Sequence, residues 1–382
     1  MRILYDYQTF YLQKYGGISN CFVQLLKNLP AGFEYELALS ESDNIHLKES
    51  GLKKVMPLGL VEENFISTKW YMFRGALYRE YSKCFPSRTS LGRNRQCSID
   101  ALKRGNFDVF HPTFFDDYFL PYLNHKPFVL TVHDMIPELF GKMKWHDPQI
   151  KAKSLLCKKA AHVIAVSEKT KNDLMDMLHV PEQKISVIYH GAPDKKNAST
   201  EKPLVYEKYI LYVGNRGRYK CFGLMLQYLT PVLKMHPELK IVCTGKNLTG
   251  KEMLNIQKLG IGDRIILMHP SDHELMNLYT HAFCFIFPSI YEGFGIPILE
   301  AYKAGCPVLL NYKSCFPEVA QDAAIYFHLD ENGSDLGSVM EQFIFMGDDD
   351  KQCLLRKQNE RLAFFSWEKS AKKLADVYEK CI

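Results

Sequence analysis

Ten short apolar runs recur along the 382-residue chain: RILYDYQ, FDVFHPT, FVLTVHD, HVIAVSE and ISVIYHG, then YILYVGN, LKIVCTG, RIILMHP, CFIFPS and CPVLLN. Longer stretches with helical spacing separate them. Unbroken Val, Ile, Leu and Phe, without the alternation of a half-exposed strand, predicts strands buried on both faces, and the intervening helices are what would cover them. The expected fold class is therefore α/β, a doubly wound parallel sheet, and the runs suffice for two such domains. The rhythm breaks once, in GAPDKKNASTEKPLVYEK, which is polar and carries two prolines. That break divides the chain into a first domain over 1–190, a linker over 191–208 and a second domain over 209–365. A closing helix is expected over 366–382, with Ser366 as its N-cap and Ala371, Leu374, Ala375 and Tyr378 on one apolar face.

Composition agrees with two packed cores, since 47% of residues are hydrophobic and 24% charged. A net charge of +5 over this length gives no case for nucleic acid. The charge is unevenly spread, however: residues 69–104 carry nine Lys and Arg against Glu80 and Asp100, an excess larger than that of the whole chain. Just ahead of and within that stretch, FISTKWYMFRGALYREYSKCF interleaves Phe65, Trp70, Tyr71, Phe73, Leu77, Tyr78 and Tyr81 with Lys69, Arg74, Arg79 and Lys83. A basic helix with an aromatic face suits an anionic membrane surface, so residues 65–104 are a candidate for peripheral membrane contact, the alternative being buried aromatics under solvated bases. The eleven cysteines form no C-x-x-C pair and mostly sit in apolar runs, the usage of reduced thiols in a cytosolic chain. No signal-peptide core follows Arg2, and no stretch reaches the roughly 18 apolar residues of a membrane span. The expected location is the cytoplasm, with the inner face of the cytoplasmic membrane as the surface it would meet.

Ligands of open α/β sheets bind outside the carboxyl ends of the strands. Beyond those ends lie Tyr15-Gly16-Gly17-Ile18-Ser19, His133-Asp134, Asn215-Arg216-Gly217-Arg218-Tyr219-Lys220, and Glu292-Gly293-Phe294-Gly295. Glycines let backbone amides approach an anion, helix N-termini favour negative charge, and Arg and Lys donate charge-assisted hydrogen bonds. Together they describe a pyrophosphate site between two domains. Glu292 and Glu300 stand eight positions apart around a glycine turn and a proline-led helix. An ionised carboxylate accepts hydrogen bonds from both hydroxyls of a diol. Two such groups would serve the ribose and the hexose of a nucleoside diphosphate sugar, the plainer alternative for Glu300 being a pairing on its own helix.

The run FPSIYEGFGIPILEAYKAGCPVLLNYKSCFPEVAQDAAIYF resembles the signature of the retaining nucleotide-sugar glycosyltransferases of family 4, the group 1 type, among them bacterial O-antigen and polysaccharide mannosyltransferases. YGGIS, TVHD, HVIAVSEKTKNDL, KISVIYHGA and FSWEKSAKKLADVYEK resemble further segments of that family, so the likeness extends along nearly the whole chain. It implies the GT-B fold: two facing Rossmann-like domains with an interdomain cleft, the donor held mainly by the second domain, the acceptor by the first, and a C-terminal helix packing back. Position by position, it implies that Glu300 binds the ribose and Glu292 the donor hexose. His133 would lie near the primary hydroxyl of that sugar, and Gly17, following Gly16, would bring an amide to the distal phosphate. Arg216 with Lys220 would neutralise the leaving diphosphate. The spacing departs from the family's usual basic pair, which makes Arg218 a rival to Arg216. Asn215, Gly293, Phe294 and Gly295 would line the donor site, and Ser314 and Asp134 are secondary candidates.

The implied reaction is hexosyl transfer with retention at the anomeric carbon, in surface polysaccharide or lipopolysaccharide assembly, to a saccharide acceptor expected to be lipid-linked. No metal and no other cofactor is expected, the developing charge being met by Arg216, Lys220 and helix amides. The candidate metal carboxylates Asp116-Asp117 and Asp348-Asp349-Asp350 read better as surface loops. GDP-mannose is favoured over UDP-sugars as donor. An oxidoreductase would want G-x-G-x-x-G after its first strand, which GGISNC fails, and CTGKNLTGK lacks both the earlier glycine and the following Ser or Thr of a P-loop. A sugar-nucleotide epimerase of the same fold, or a catalytically silent binding protein, remains the alternative to a transferase.

Overall fold

The computed structural model describes residues 1–65, 71–141, 147–193 and 201–382. Residues 66–70 of the aromatic and basic segment, Lys69 and Trp70 among them, and 194–200 of the expected linker lie outside the described residues. The chain forms two compact units. The first comprises Met1–Val166, Thr170–Tyr189 and Trp367–Ile382, the second Ser167–Lys169 and His190–Ser366.

In the first unit, strands β1 (Arg2–Asp6), β2 (Glu34–Ala38), β3 (Val109–His111), β4 (Val129–Val132), β5 (His162–Ala165) and β6 (Ile185–Val187) pair in parallel as β2-β1-β3 and β4-β5-β6. The two halves meet at a seam where the Phe110 amide donates to Pro127 O at 3.0 Å and Phe110 bridges Phe128. Register sets Tyr5 beside Leu37 on one side and His111 on the other, so the order reverses direction between β1 and β3. Around these strand ends a buried polar network is built. Asp6 is fully buried and accepts from the Thr113 amide (2.9 Å), the Thr113 hydroxyl (2.7 Å), Gln8 Nε2 (2.7 Å) and the Tyr118 hydroxyl (3.2 Å). The helix Trp367–Glu379 belongs to this unit, and the four residues expected on its apolar face are all buried.

The second unit holds β7 (Lys208–Tyr212), β8 (Leu239–Thr244), β9 (Ile265–Met268), β10 (Cys284–Phe287), β11 (Val308–Asn311) and β12 (Ile325–Phe327) in the order β9-β8-β7-β10-β11-β12. Counted from β7, this is the 3-2-1-4-5-6 order of a Rossmann-type sheet, all parallel, with its switch point between β7 and β10. The helix Phe222–Met235 covers one face through Phe222, Met225, Leu226, Leu229, Val232 and Leu233, each nearly inaccessible. Burying such a side chain contributes roughly 1.5 to 3 kcal/mol.

The sequence reading missed β2, β12 and the short antiparallel pair Leu329–Asp330 with Gly333–Ser334. Edge position explains the two longer omissions: β2 alternates Glu34 and Glu36 with apolar residues because one face meets solvent, and β12 is only partly covered. The aromatic face expected on 65–104 is also divided. Tyr78 is buried, donates to Leu60 O at 2.9 Å and packs on Phe65, whereas Phe73, Leu77 and Phe85 are exposed. All eleven cysteines are free thiols.

Candidate functional site

The switch point of the second unit collects three loops. The loop after β7 turns at Gly214, whose φ of 116° is open to glycine but costly for other residues, and runs through Asn215 to the short 3-10 helix Arg218–Lys220. The loop after β10 carries Glu292, Gly293 and Phe294 to Gly295, which starts the helix Ile296–Ala304 with Pro297 in its first turn. The two are stitched together where the Ile290 amide donates to Tyr219 O at 2.9 Å. From the third, after β11, the Ser314 hydroxyl accepts from the Glu292 amide (3.0 Å) and donates to the Glu292 carbonyl (2.8 Å), holding that peptide from both sides. Ser314 does so from a left-handed backbone, φ 57°, a strained conformation for a non-glycine residue of the kind stored at functional sites.

Within this frame the structure brings Lys220 and Glu292 into direct ion-pair contact, both side chains 12% exposed. The Lys220 ammonium also lies over the rings of Tyr219 and Phe287, at 5.3 and 5.2 Å from their centroids. Glu300 stands further along the helix, 9% exposed, and accepts from the Tyr279 hydroxyl at 3.4 Å. Its charge acts on its neighbours. Burial and then Glu300 raise the Asp272 carboxyl to about 6, and the same two causes push the Tyr279 hydroxyl well up. Burial and the Glu292 charge likewise raise the Tyr212 hydroxyl and the Cys315 thiol.

Arg216 is not brought to the Lys220–Glu292 pair. Its side chain is 4% exposed; Nε donates to Glu252 Oε1 at 2.9 Å, and the other nitrogens donate to the carbonyls of Thr244, Lys246 and Asn247. Glu252 is itself the N3 residue of a capping box with Thr249, so one carboxylate both starts the helix Gly250–Leu259 and anchors the arginine. Arg218, two residues on, is exposed at the same loop. Phe294 is buried: its ring packs on His190 and Phe365 at 4.9 and 5.6 Å. Asn215 is exposed, its carbonyl accepting from the Tyr212 hydroxyl.

Sequence reasoning missed three residues that hold this loop. The Ser167 hydroxyl donates to Gly293 O at 2.6 Å, and the buried Cys315 thiol approaches the carbonyls of Glu292 and Phe294 at 3.3 and 3.2 Å. Tyr279 supports Glu300. Ser314-Cys315 lay visible in YKSCFPEV; Ser167, more than a hundred residues away, carried no signal.

The first unit places its own candidates around the ends of β1 and β4. Gly16 precedes the helix Gly17–Lys27 in an extended conformation, and a Cβ there would meet Gln13 Oε1 at 2.3 Å. Gln13 Oε1 accepts the Ser19 amide at 3.1 Å, filling one of the donor positions of that helix start. His133 is half-buried with its ring edge-on to Phe22 at 6.0 Å, and Asp134 accepts the Ile136 amide at 2.9 Å at the start of the helix Ile136–Phe140.

A cation and a carboxylate paired at the switch point, over a helix N-terminus, can exchange each other for a ligand that offers an anion to Lys220 and hydroxyls to Glu292. Comparison with known proteins points the same way. The profile of the group 1 glycosyl transferases matches residues 194–360, and that of glycosyltransferase family 4 matches residues 15–196. The chain is 30% identical over 210 residues to the O-antigen chain mannosyltransferase RfbU of Salmonella typhimurium, covering 54% of this chain and 58% of that one. It is 28% identical over 180 residues to O-antigen chain mannosyltransferase B of Escherichia coli, 46% of this chain and 47% of the other. It therefore spans between about half and three-fifths of the length of these relatives. Among solved structures, Anabaena HepE in complex with UDP and glucose superposes with a TM-score of 0.69 at 16% identity over 99% of both chains, a likeness of fold.

Proposed function

Because the chain belongs to the group 1 glycosyltransferases, we propose that it transfers a hexose from a nucleotide diphosphate sugar to a saccharide acceptor, with retention at the anomeric carbon. The observation that carries this reading is the Lys220–Glu292 pair held at the β7/β10 switch point beside the helix bearing Glu300. Glu300 would accept from the ribose hydroxyls and Glu292 from the hexose hydroxyls. Lys220, released from Glu292, would meet the diphosphate as negative charge grows on the departing oxygen, with Arg218 as the second cation and the first amides of the helix Ile296–Ala304 alongside. Stabilisation by groups fixed in advance is commonly the largest catalytic term. Transfer in this scheme needs no metal. His133, Gly17 and the other first-unit candidates keep the roles that the family resemblance implies.

The O-antigen relatives support mannose as the transferred sugar, hence GDP-mannose as donor, and a lipid-linked glycan as acceptor; the complex of HepE with UDP supports a uridine nucleotide instead. The proposed setting is the inner face of the cytoplasmic membrane. Among the described residues no helix is long and apolar enough to cross a membrane. Contact would come from exposed Phe73, Leu77 and Phe85 beside Arg79, Lys83 and Arg88. Vesicles containing anionic phospholipid should sediment the protein at low salt, and sedimentation indifferent to lipid charge would remove that contact.

The test of the transfer reading is a thermal-shift series with UDP, GDP, ADP and TDP, alone and with their common sugars, followed by donor turnover. One diphosphate should raise the melting temperature by mass action. Glu300→Ala should lose most of that shift, while Lys220→Ala should retain it and slow turnover roughly 10²-fold. A parent protein shifted by none of them and turning over no donor would overturn the reading.

A further inference from the structure

Asp116-Asp117, a surface loop by sequence, lies outside the family signature. In the structure the two residues border a cavity of about 540 Å³ in the first unit, together with Arg79, Phe114, Phe115 and the first two turns of the helix Pro148–Lys159. Its position is informative. The loop 112–118 leaves the carboxyl end of β3, beside β1, where the order of the first sheet reverses; open α/β sheets take their ligands at such points.

Both walls are rigidly built. The loop is fixed from beneath by the buried Asp6 network through Thr113 and Tyr118. Gln8 adds two bonds, its Oε1 accepting the Asp116 amide at 2.8 Å and its Nε2 donating to the Asp116 carbonyl at 3.1 Å. The facing helix is pinned by Lys153, whose fully buried ammonium pairs with Glu138 at 2.9 Å, donates to Asp134 O at 3.1 Å and lies 4.9 Å from the Phe115 ring centre. A buried ion pair costs desolvation and is weak grounds for stability, but it specifies geometry. What these anchors present to solvent is a mixture of apolar groups and charges: the half-buried Phe114 ring and Leu155, the Asp117 carboxylate, Arg79 and Lys151 on the rim, and Asp116 drawn 3.7 Å from Arg95, with the buried Phe115 behind them.

Apolar faces beside convergent carboxylate and guanidinium groups match one class of ligand, a sugar ring, whose C–H faces pack on aromatics while its hydroxyls donate to a carboxylate and accept from Arg. We propose that this cavity holds a monosaccharide unit of the acceptor, with Asp117 accepting from its hydroxyls and Phe114 and Leu155 forming the apolar wall. This assignment deepens the transfer reading and rests on it.

The probe is a panel of methyl α-glycosides of mannose, glucose, galactose, rhamnose and N-acetylglucosamine, offered to the full chain and read by saturation-transfer difference NMR. At least one should bind, with ring-proton signals. Asp117→Ala should weaken that binding roughly tenfold, the loss expected for a charge-assisted hydrogen bond, and Asp117→Asn should restore part of it. Because Asp117 is exposed, both variants should keep the parent's melting temperature and its nucleotide-induced shift. Binding equal in the parent and Asp117→Ala, or no binding of any glycoside by a parent that still responds to a nucleoside diphosphate, overturns the cavity assignment alone. Loss of the nucleotide response in the parent strikes the transfer reading instead, so the two failures are distinguishable.

Discussion

Arg216 and Arg218 flank one glycine in GNRGRYK, and the spacing in that heptapeptide cannot separate them. What separates them is tertiary: the carbonyls of Thr244, Lys246 and Asn247, with Glu252, form a cage about thirty residues downstream into which only Arg216 reaches. Arg216→Ala should therefore act on stability, costing roughly 2 to 3 kcal/mol for the lost pair and the donors removed. Arg218→Ala should leave the melting temperature unchanged and slow donor turnover about tenfold. Calorimetry and turnover showing the reverse pattern would return the diphosphate role to Arg216. Asp272 offers a second residue-scale prediction. Its carboxyl sits at about 6 because burial, then Glu300, disfavours its charge. A carboxyl raised in the folded state is stabilising while protonated and loses that advantage as pH climbs from its unfolded value near 3.9 through about 6. Asp272→Asn should therefore raise the melting temperature at about pH 8 and bring no gain near pH 4, and a gain independent of pH would refute the coupling.

At the scale of elements, the helix Ile296–Ala304 and its turn were the most legible part of the chain, because EGFGIPILE combines two glycines, a first-turn proline and two carboxylates in nine residues. Gly295 is held at φ 94°, and a Cβ there would meet Ile298 Cδ1 at 3.0 Å and Phe316 Cε1 at 3.4 Å. Gly295→Ala should cost about 1 to 2 kcal/mol from backbone strain. It should also shrink the nucleotide-induced thermal shift, since the strain falls on the turn that carries Glu292. Gly217→Ala is the control: its φ is −58° and its nearest neighbour would stand 3.5 Å away. Equal behaviour of the two variants would show that the turn does not depend on its glycine. The elements that sequence missed have separate causes. At the edge strand β2 half-exposure replaces a continuous apolar run by alternation, and a three-residue strand such as Ile325–Phe327 is too short to show a period. The supports of the site were illegible for another reason. Ser167 and Tyr279 hydrogen-bond to residues 126 and 21 positions away, and no local pattern encodes such partners.

At the scale of the whole molecule, the chain is not two consecutive halves, because its last helix belongs to the unit that contains its first strand. Amphipathic spacing made that helix readable; its anchoring was not. The Tyr378 hydroxyl lies 2.5 Å from the Tyr5 hydroxyl and 2.6 Å from His111 Nδ1, and His111 Nε2 meets Thr131 Oγ1 at 2.9 Å. This chain of bonds ties residues 373 positions apart and joins the helix to β1, β3 and β4. All three rings are buried, and burial holds His111 down to about 3, so the imidazole is neutral in the fold. A histidine depressed in the folded state contributes stability above its unfolded value near 6.5 and loses it as pH falls through that value toward about 3. Tyr378→Phe keeps the ring and removes the bridging hydroxyl, leaving Tyr5 and His111 each short of a buried partner, at roughly 1 to 3 kcal/mol apiece. Urea unfolding at neutral pH should therefore shift to lower concentration by an amount equivalent to about 2 to 6 kcal/mol. Thermal shifts with nucleoside diphosphate should stay unchanged, because Tyr378 is not among the residues proposed for the nucleotide and these, Gly17 apart, lie in the other unit. Unfolding of Tyr378→Phe at the parent's midpoint would mean that apolar packing of the helix, rather than this buried hydrogen-bond chain, holds the end of the chain to its beginning.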